Sequence, residues 1–399
     1  MRKNEFVLFF IITELYLLLN IPYAVNRVWP IINIYVSSAL YVGALLLFLS
    51  TSHGIVKTLP HKFNVAFFTT IGTWLAYSII HSDSSYLTRV LLLVITYLFL
   101  LIINNKGDFV KFWKYNNYYI FLQVCFSLII FVLVAIGLMK PLIIAHVSNE
   151  ISDKIVYFWG LSFSKTYIGN LIRPSGFLDE PGALAAWAIY SLMFNYAFIN
   201  DKLIKKYLPW FTTVTLSIAY FIQIGAFLVL SNVKKIHKLV FVAIIVFVGI
   251  TLINLTKGSS FDVYEKTIAR FEYSDETIIE GNNRAYATEA AKQYFLSSPV
   301  IGVGGRTMGA VDEKVADNPY EILAKDGIIG FIVSYLPLIL ILFYNRRKEV
   351  IVAVIVVAVG YLQRPLHINF MHDMYIWSFL LFALKDLNNS RPNRLRIKY

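Results

Sequence analysis

The sequence predicts an all-α fold: a polytopic bundle of membrane helices that forms a single integral membrane domain over residues 1–399. Three observations predict it. Hydrophobic residues make up 58% of the chain and aromatic residues 16%, at a mean hydropathy of +0.63, above the roughly 45–50% apolar content of soluble domains. Apolar runs recur at lengths near the about 20 residues of helix that an average bilayer core needs. Lys and Arg, which give a net charge of +12, sit in short clusters between those runs, so the basic balance sets membrane orientation and does not point to nucleic acid.

In chain order the runs lie near residues 6–22, 29–50, 64–80, 87–103, 117–138, 181–200, 239–255, 321–344, 349–363 and 370–385. The first follows Met1-Arg2-Lys3 in the manner of a signal peptide. Glu14 interrupts its centre and no A-x-A pattern follows, so it is expected as an uncleaved span in which Glu14 has a buried polar partner. The single cysteine, Cys125, lies within an apolar run, where packing is its expected role.

Sides follow from the basic clusters: Lys57 and Lys62; Lys106, Lys111 and Lys114; Lys202, Lys205 and Lys206; Lys234, Lys235 and Lys238; Arg346, Arg347 and Lys348; and the two termini, the last carrying Arg391, Arg394, Arg396 and Lys398. All are cytoplasmic only if residues 208–232 leave that side and return to it, which gives about twelve passes in total. Those 25 residues rise only about 37 Å as helix, too little for two perpendicular crossings of a roughly 30 Å core. A short broken pair is therefore expected, with a turn near Ser217 to Tyr220 that borders a cavity. A single long helix is the alternative, and it puts the Lys234 cluster outside.

With this orientation two long loops face outward, residues 139–180 and 256–320. The second mixes ten acidic with seven basic residues, a solvated composition. It includes "NNRAYATEAAKQYFLSSP", an amphipathic helix by pattern: Asn282 or Asn283 can cap it, Tyr286, Ala290 and Tyr294 recur on one face, and Pro299 follows its end.

No HExxH, CxxC, G-x-S-x-G or P-loop occurs, and the glycines of "GVGGRTMG" follow no strand. What recurs is arginine at the outer face: Arg89, Arg173, Arg284, Arg306 and Arg364. Guanidinium pairs bidentately with phosphate oxygens, although any one of these also suits a snorkelling or headgroup position. Glu180 precedes Pro181 at a helix start, where capping is its structural role. Asp179 reads as solvated, and Asp317 with Asn318 and Pro319 as a turn. His367 and His372 flank a short outward segment without further ligands, so no metal is expected.

Three stretches resemble the O-antigen polymerase (Wzy) branch of the superfamily that includes the O-antigen ligases. "RPSGFLDEPGALAAW" is similar to the family's Arg-x-x-Gly-x-x-x-Glu-Pro segment entering a span. "NNRAYATEAAKQYFLSSPVIGVGG" is similar to its Arg, apolar, Phe, Pro and Gly-x-Gly stretch, and "DNPYEILAKDGIIG" to its loop exit; the "TLSIAY" break fits as well. Many relatives have His-Asn where this chain has Asp317-Asn318, which weighs against a ligase.

The resemblance implies a glycosyltransferase of the bacterial inner membrane, with both termini cytoplasmic and loops 139–180 and 256–320 periplasmic. It implies an undecaprenyl-pyrophosphate-linked oligosaccharide donor and a lipid-linked repeat unit as acceptor, extended into O-antigen polysaccharide. A chain-length regulator and a flippase of the same pathway are the implied partners, with no nucleic acid and no cofactor. At matched positions Arg173 and Arg284 would stabilise the departing pyrophosphate; Arg89 and Arg306 are secondary, substrate-binding candidates on the topology argument alone, and Asn318 is a further substrate-binding candidate. Glu180 or Asp317 would take the acceptor hydroxyl proton. Ligation of glycan to lipid A core, and lipid-linked oligosaccharide transport, remain as alternatives. The 42-residue and 65-residue outer loops and the lack of an evident internal repeat weigh against transport.

Overall fold

The computed structural model describes all residues except 21–23, 30, 52–57, 150–151, 169, 233–253, 255–256, 258–284, 312–319, 362–368 and 390–399. The protein is mainly helical. Among the described residues five helices are long and apolar enough to cross a membrane: His61–Ile80, Ser85–Ile102, Gly107–Ala135, Pro181–Ile199 and Glu321–Tyr344, and shorter apolar helices cover Tyr35–Thr51 and Ile218–Asn232. Most of the expected span at 239–255, and the Lys234, Lys235 and Lys238 cluster, lie outside the described residues.

The helices before the sheet are α1 (Lys3–Leu18), α2 (Val25–Val28), α3 (Ile34–Thr51), α4 (His61–Ile80), α5 (Ser85–Ile102) and α6 (Lys106–Ala135). After it come α7 (Pro181–Phe194), α8 (Lys202–Phe211) and α9 (Ile218–Asn232), then α10 (Ala285–Ser297), α11 (Gly305–Val311), α12 (Glu321–Tyr344), α13 (Lys348–Tyr361) and α14 (Phe370–Asn389). Helix α7 is the centre of the bundle. It is apolar all round, as a fully enclosed helix must be, and only Gly182 and Ala186 stay partly exposed. Ala183, Ala185 and Ala188 allow neighbouring helices close approach. Phe194 stacks on Trp113 of α6 at 4.5 Å, and Tyr190 on Tyr375 of α14 at 4.5 Å. Outer helices turn Leu47, Ile79 and Phe343 outward, with 67%, 80% and 75% exposure. That is the reverse of a water-soluble surface and the arrangement hydrocarbon favours.

One end of the bundle collects the basic residues. The N-terminal ammonium meets Asp108 at 3.0 Å, Lys114 meets Asp201 at 3.8 Å, Lys62 lies over the Tyr344 ring, Arg347 donates to the Ala197 carbonyl, and Lys385 donates to Asn104. These contacts join the start of α1, both ends of the α5–α6 turn, the α7–α8 junction and the α12–α13 turn at a single face. Helices leaving that face place the α4–α5 turn (residues 81–84), the end of α6 and the start of α7 at the opposite end. Glu14 has the buried partner expected of it, accepting from Asn116 Nδ2 at 3.0 Å.

The all-α expectation fails at residues 139–180, expected as a long outward loop, which hold a four-stranded antiparallel sheet in the order β1-β2-β3-β4. Its strands are β1 (Ile143–Asn149), β2 (Ser152–Phe158), β3 (Phe163–Ile168) and β4 (Leu171–Pro174). Ile143 pairs with Phe158, Phe158 with Phe163, and Ile168 with Leu171. The β2–β3 turn runs through Gly160 at φ 82 and closes with Trp159 N donating to the Ser162 carbonyl at 2.9 Å. A left-handed residue at that corner is why glycine stands there. Short alternating strands carry less apolar content than a span, so a reading tuned to long apolar runs passes over them. The sheet is seated on α6 through Trp159 and Ile172, both buried against Ile130 and Val134.

The broken pair is present, a few residues before its expected position. Asp201 caps α8 by accepting from Leu203 N at 2.9 Å. The chain tightens to a 3-10 turn over Thr212–Thr215, and Leu216 then adopts a left-handed φ of 48° before α9 begins. The two arms are tied by Tyr220 Oη donating to the Pro209 carbonyl at 2.6 Å. Asp201 accepts from Tyr118 in the first half of α6, Phe211 stacks on Phe121 near its middle, and Leu216 packs with Phe131 and Leu171 near its end. The pair therefore climbs from the basic end toward the sheet, and α9 descends again, Lys348 donating to the Ser231 carbonyl.

Candidate functional site

At the end opposite the basic face, the α4–α5 turn meets the segment around Gly302–Arg306 and the start of α12. Asp83 organises the meeting: Ser85 N donates to its Oδ1 at 2.8 Å and Arg306 N to its Oδ2 at 3.0 Å. Partial burial opposes ionisation of Asp83, but the hydrogen bonds from Ser85 and Arg306 and the nearby Lys325 ammonium outweigh it and hold the carboxyl below its ordinary range.

Helix α12 is kinked at Gly327, where φ is 63° and ψ −169°. Residues 299–304 lie along the kink and pair with its backbone. Val303 N donates to Ala324 O and Gly304 N to Lys325 O, each at 2.9 Å, while Ile328 N donates to Pro299 O at 2.9 Å. Backbones this close leave no room for side chains. A Cβ at Gly302 would collide with the Lys325 carbonyl and one at Gly327 with the Val300 carbonyl, so the Gly-rich run serves close approach of two chains. Helix α10, the amphipathic helix expected from its pattern, packs Ala291 against Met308 and Ala324, and its proposed caps Asn282 and Asn283 lie outside the described residues.

Beneath the turn, the Asp326 carboxylate is fully buried and accepts from Arg89 Nη1 at 2.8 Å and Tyr86 Oη at 2.7 Å. Tyr77 Oη donates to the Asp326 carbonyl at 2.8 Å, and the Arg89 guanidinium lies 4.5 Å from the Trp74 ring centroid. Charge, aromatic faces and hydroxyls thus compensate one another in an apolar bundle, where an unpaired charge would be expensive, although Arg89 Nε makes no hydrogen bond among the described residues. Above this pair a cavity of about 360 Å³ opens between residues 82–85, Gly305, Arg306 and Lys325. A smaller cavity of about 30 Å³ lies below it, lined by residues that include Arg89, Ser334, His372 and Asp373. His372 is buried there and bonded to Tyr361, which accepts from Tyr190 at 3.2 Å.

A second group surrounds β4 and the start of α7. Arg173 sends Nε to the Thr215 carbonyl at 3.3 Å and Nη2 to the Leu216 carbonyl at 3.1 Å. These carbonyls belong to the helix break, so a guanidinium meets the break. Glu180 stands at the N-cap of α7 with Pro181 in the first helical position, but its side chain makes no capping hydrogen bond. Instead Oε1 accepts from Lys165 of β3 at 3.1 Å. Gly176, at φ 61, lets the loop close on Gln123, whose Oε1 accepts from Phe177 N.

The expected residues therefore divide. Arg173 and Glu180 share the second group. Arg306 lies on the larger cavity with its backbone bound to Asp83 and its side chain exposed. Arg89, expected at the outer face, is instead buried beneath that cavity because Asp326 neutralises it. Arg284, Asp317, Asn318, Arg364 and His367 lie outside the described residues. Sequence reasoning missed Asp83, Tyr86, Lys325 and Asp326. A signal for the last two was present: "AKDG" places a charged pair inside an apolar run, and charge at membrane depth marks a site by default. No family model, curated protein or solved structure matches the chain.

Proposed function

We propose that this protein is a glycosyltransferase that polymerises undecaprenyl-pyrophosphate-linked oligosaccharide repeat units at the periplasmic face of the bacterial inner membrane. The basic end is then cytoplasmic, in keeping with the positive-inside rule. What supports the reading is that the stretches carrying the resemblance are contact partners in space. "RPSGFLDEPG" reaches the "TLSIAY" break through Arg173, and "SPVIGVGG" lies backbone to backbone on "EILAKDGIIG". Motifs that are weak one by one thus form two joined structures at the non-basic end of an apolar bundle.

In this reaction an acceptor hydroxyl attacks the donor's anomeric carbon, the bond from that carbon to the phosphate oxygen breaks, and the lipid pyrophosphate departs with the bonding electrons. The hydroxyl proton passes to a carboxylate, Glu180 or Asp317. The two carbonyls that hold Arg173 fix the direction of its charge before reaction, which is the condition for stabilising charge that grows on a leaving group. Arg284 acts with it. Purified protein incubated with lipid-linked repeat units is the test. A ladder of lengthening products is the expected result, and donor and acceptor recovered unchanged would refute polymerisation.

A further inference from the structure

We propose that the cavity between the α4–α5 turn and Gly305–Arg306 is a seat for a phosphate group, held by Lys325 and Arg306 with the hydroxyls of Ser82 and Ser84. Lys325 has no place among the residues that the sequence nominates.

The charges around the cavity ask for an anion. Among the described residues no carboxylate comes within ion-pair distance of the Lys325 ammonium or the Arg306 guanidinium, although both line the same space. Among the described residues the carboxylate lining the cavity is Asp83, which already spends both oxygens on the backbone N–H groups of Ser85 and Arg306. The deeper Arg89 is neutralised by Asp326. The cavity wall therefore carries two cations against the engaged Asp83, with Asp326 and Glu321 acting on Lys325 from beyond ion-pair distance and the hydroxyls of Ser82 and Ser84 beside them. At about 360 Å³ it exceeds the roughly 30 Å³ share of one water by about tenfold.

Its parts suit phosphate in particular. A lysine ammonium supplies a compact point charge, a guanidinium a planar fork, and serine hydroxyls turn to donate wherever an oxygen presents itself. The backbone is shaped to keep the ammonium there. A Cβ at Gly305 would stand 2.7 Å from Lys325 Nζ and 3.0 Å from Asp83 Oδ2, so any larger residue would push the ammonium away. The Lys325 ammonium also faces the Tyr86 ring, 5.7 Å from its centroid, and that ring is anchored by the bond from its hydroxyl to Asp326. The seat is thus built on the buried ion pair below it.

The inference rests on the proposed function in naming the lipid-linked pyrophosphate as occupant; a phospholipid headgroup or free phosphate offers the same chemistry. The test is binding of inorganic pyrophosphate to the full-length protein in phosphatidylcholine nanodiscs, with Lys325→Gln, Arg306→Gln and Gly305→Ala beside the wild type. Saturable binding by the wild type, with Kd raised at least tenfold in each variant, is expected. Lys325→Arg, which keeps the charge, should recover most of the loss. Arg306 is exposed and its replacement leaves the fold intact, so an unchanged Kd in that variant together with Lys325→Gln would overturn the seat. Repeating the titration in phosphatidylglycerol nanodiscs separates the sources. Competition there identifies a headgroup as an occupant of the same seat, and its absence reserves the seat for pyrophosphate. Polymerisation is assayed in parallel: pyrophosphate binding without polymer upholds the seat and removes the enzyme reading, whereas polymer made equally by all variants upholds the enzyme and removes the seat.

Discussion

Two carboxylates at the non-basic end show how the same side chain does different work at different depths. Asp326 is fully buried and its worth lies in compensating Arg89. Removing one partner of such a pair typically costs about 3–5 kcal/mol, because the other charge is stranded, whereas replacing both by apolar groups is often close to neutral. Asp326→Ala should therefore destabilise the protein strongly in a detergent unfolding assay, and Arg89→Met combined with Asp326→Leu should recover much of the loss. A double variant as unstable as the single would mean that Tyr86 and the helix kink, and not the charge pair, carry the stability. Asp83 is closer to water and titrates. Its carboxyl is held below the ordinary range despite partial burial, by the hydrogen bonds from Ser85 and Arg306 and by Lys325. A depressed folded-state pKa contributes stability that is present above the unfolded value and lost as pH falls through the folded one. The stability gap between wild type and Asp83→Asn should thus be full at neutral pH and close as pH falls below the usual carboxylate range. A gap that is unchanged in acid would show that the Asn side chain, and not lost charge, is responsible.

At the scale of elements, the broken pair α8–α9 depends on two ties made by residues outside regular hydrogen bonding. A chain that reverses within a bundle leaves carbonyls without helical partners, and each needs a donor if it is not to be costly. Arg173 supplies the Thr215 and Leu216 carbonyls, and Tyr220 supplies Pro209. Lysine at 173 keeps the charge but lacks the fork, so Arg173→Lys should loosen the break and lower polymerisation together. Loss of one preorganised charged donor corresponds to about 2–4 kcal/mol, or roughly 30- to 1,000-fold in rate. Initial rates on a synthetic lipid-linked repeat unit, together with protease sensitivity near Leu216, measure both. Tyr220→Phe is the contrast, since it should loosen the arms by about 0.5–1.5 kcal/mol, the net worth of one neutral hydrogen bond, with little effect on rate. If Arg173→Lys polymerises at the wild-type rate, the arginine serves the break alone.

For the molecule as a whole, the decisive quantity is which end faces which compartment. The contacts made by Met1, Lys62, Lys114, Arg347 and Lys385 place these five cations at one face, while the sheet, the larger cavity and the Arg173 group lie at the other. Reporter fusions at Lys235 and Asp275 should give opposite sides, cytoplasmic and external. An external Lys235 would mean that residues 208–232 cross once as a single helix and do not return, and the active end would have to be reassigned.

Hydropathy and charge spacing were enough to determine that this chain is a helical membrane protein, where many of its helices run, that residues 208–232 break and return, and that Glu14 is buried with a partner. Those features follow from local quantities: length against bilayer thickness, cluster against cluster, and pattern within one helix. The sheet was also local in principle, since Gly160 and Asn170 punctuate its strands, but its strands are too short to stand out beside long apolar runs. What only the tertiary structure decided was pairing across sequence. Arg89 and Asp326 are separated by 237 positions and Asp83 and Arg306 by 223. Nothing along the chain says which arginine a carboxylate will neutralise, and that choice is what buries Arg89 and leaves Lys325 and Arg306 facing an open cavity. An arginine's function depends on whether its charge is already answered, and the answer comes from the helix packed against it.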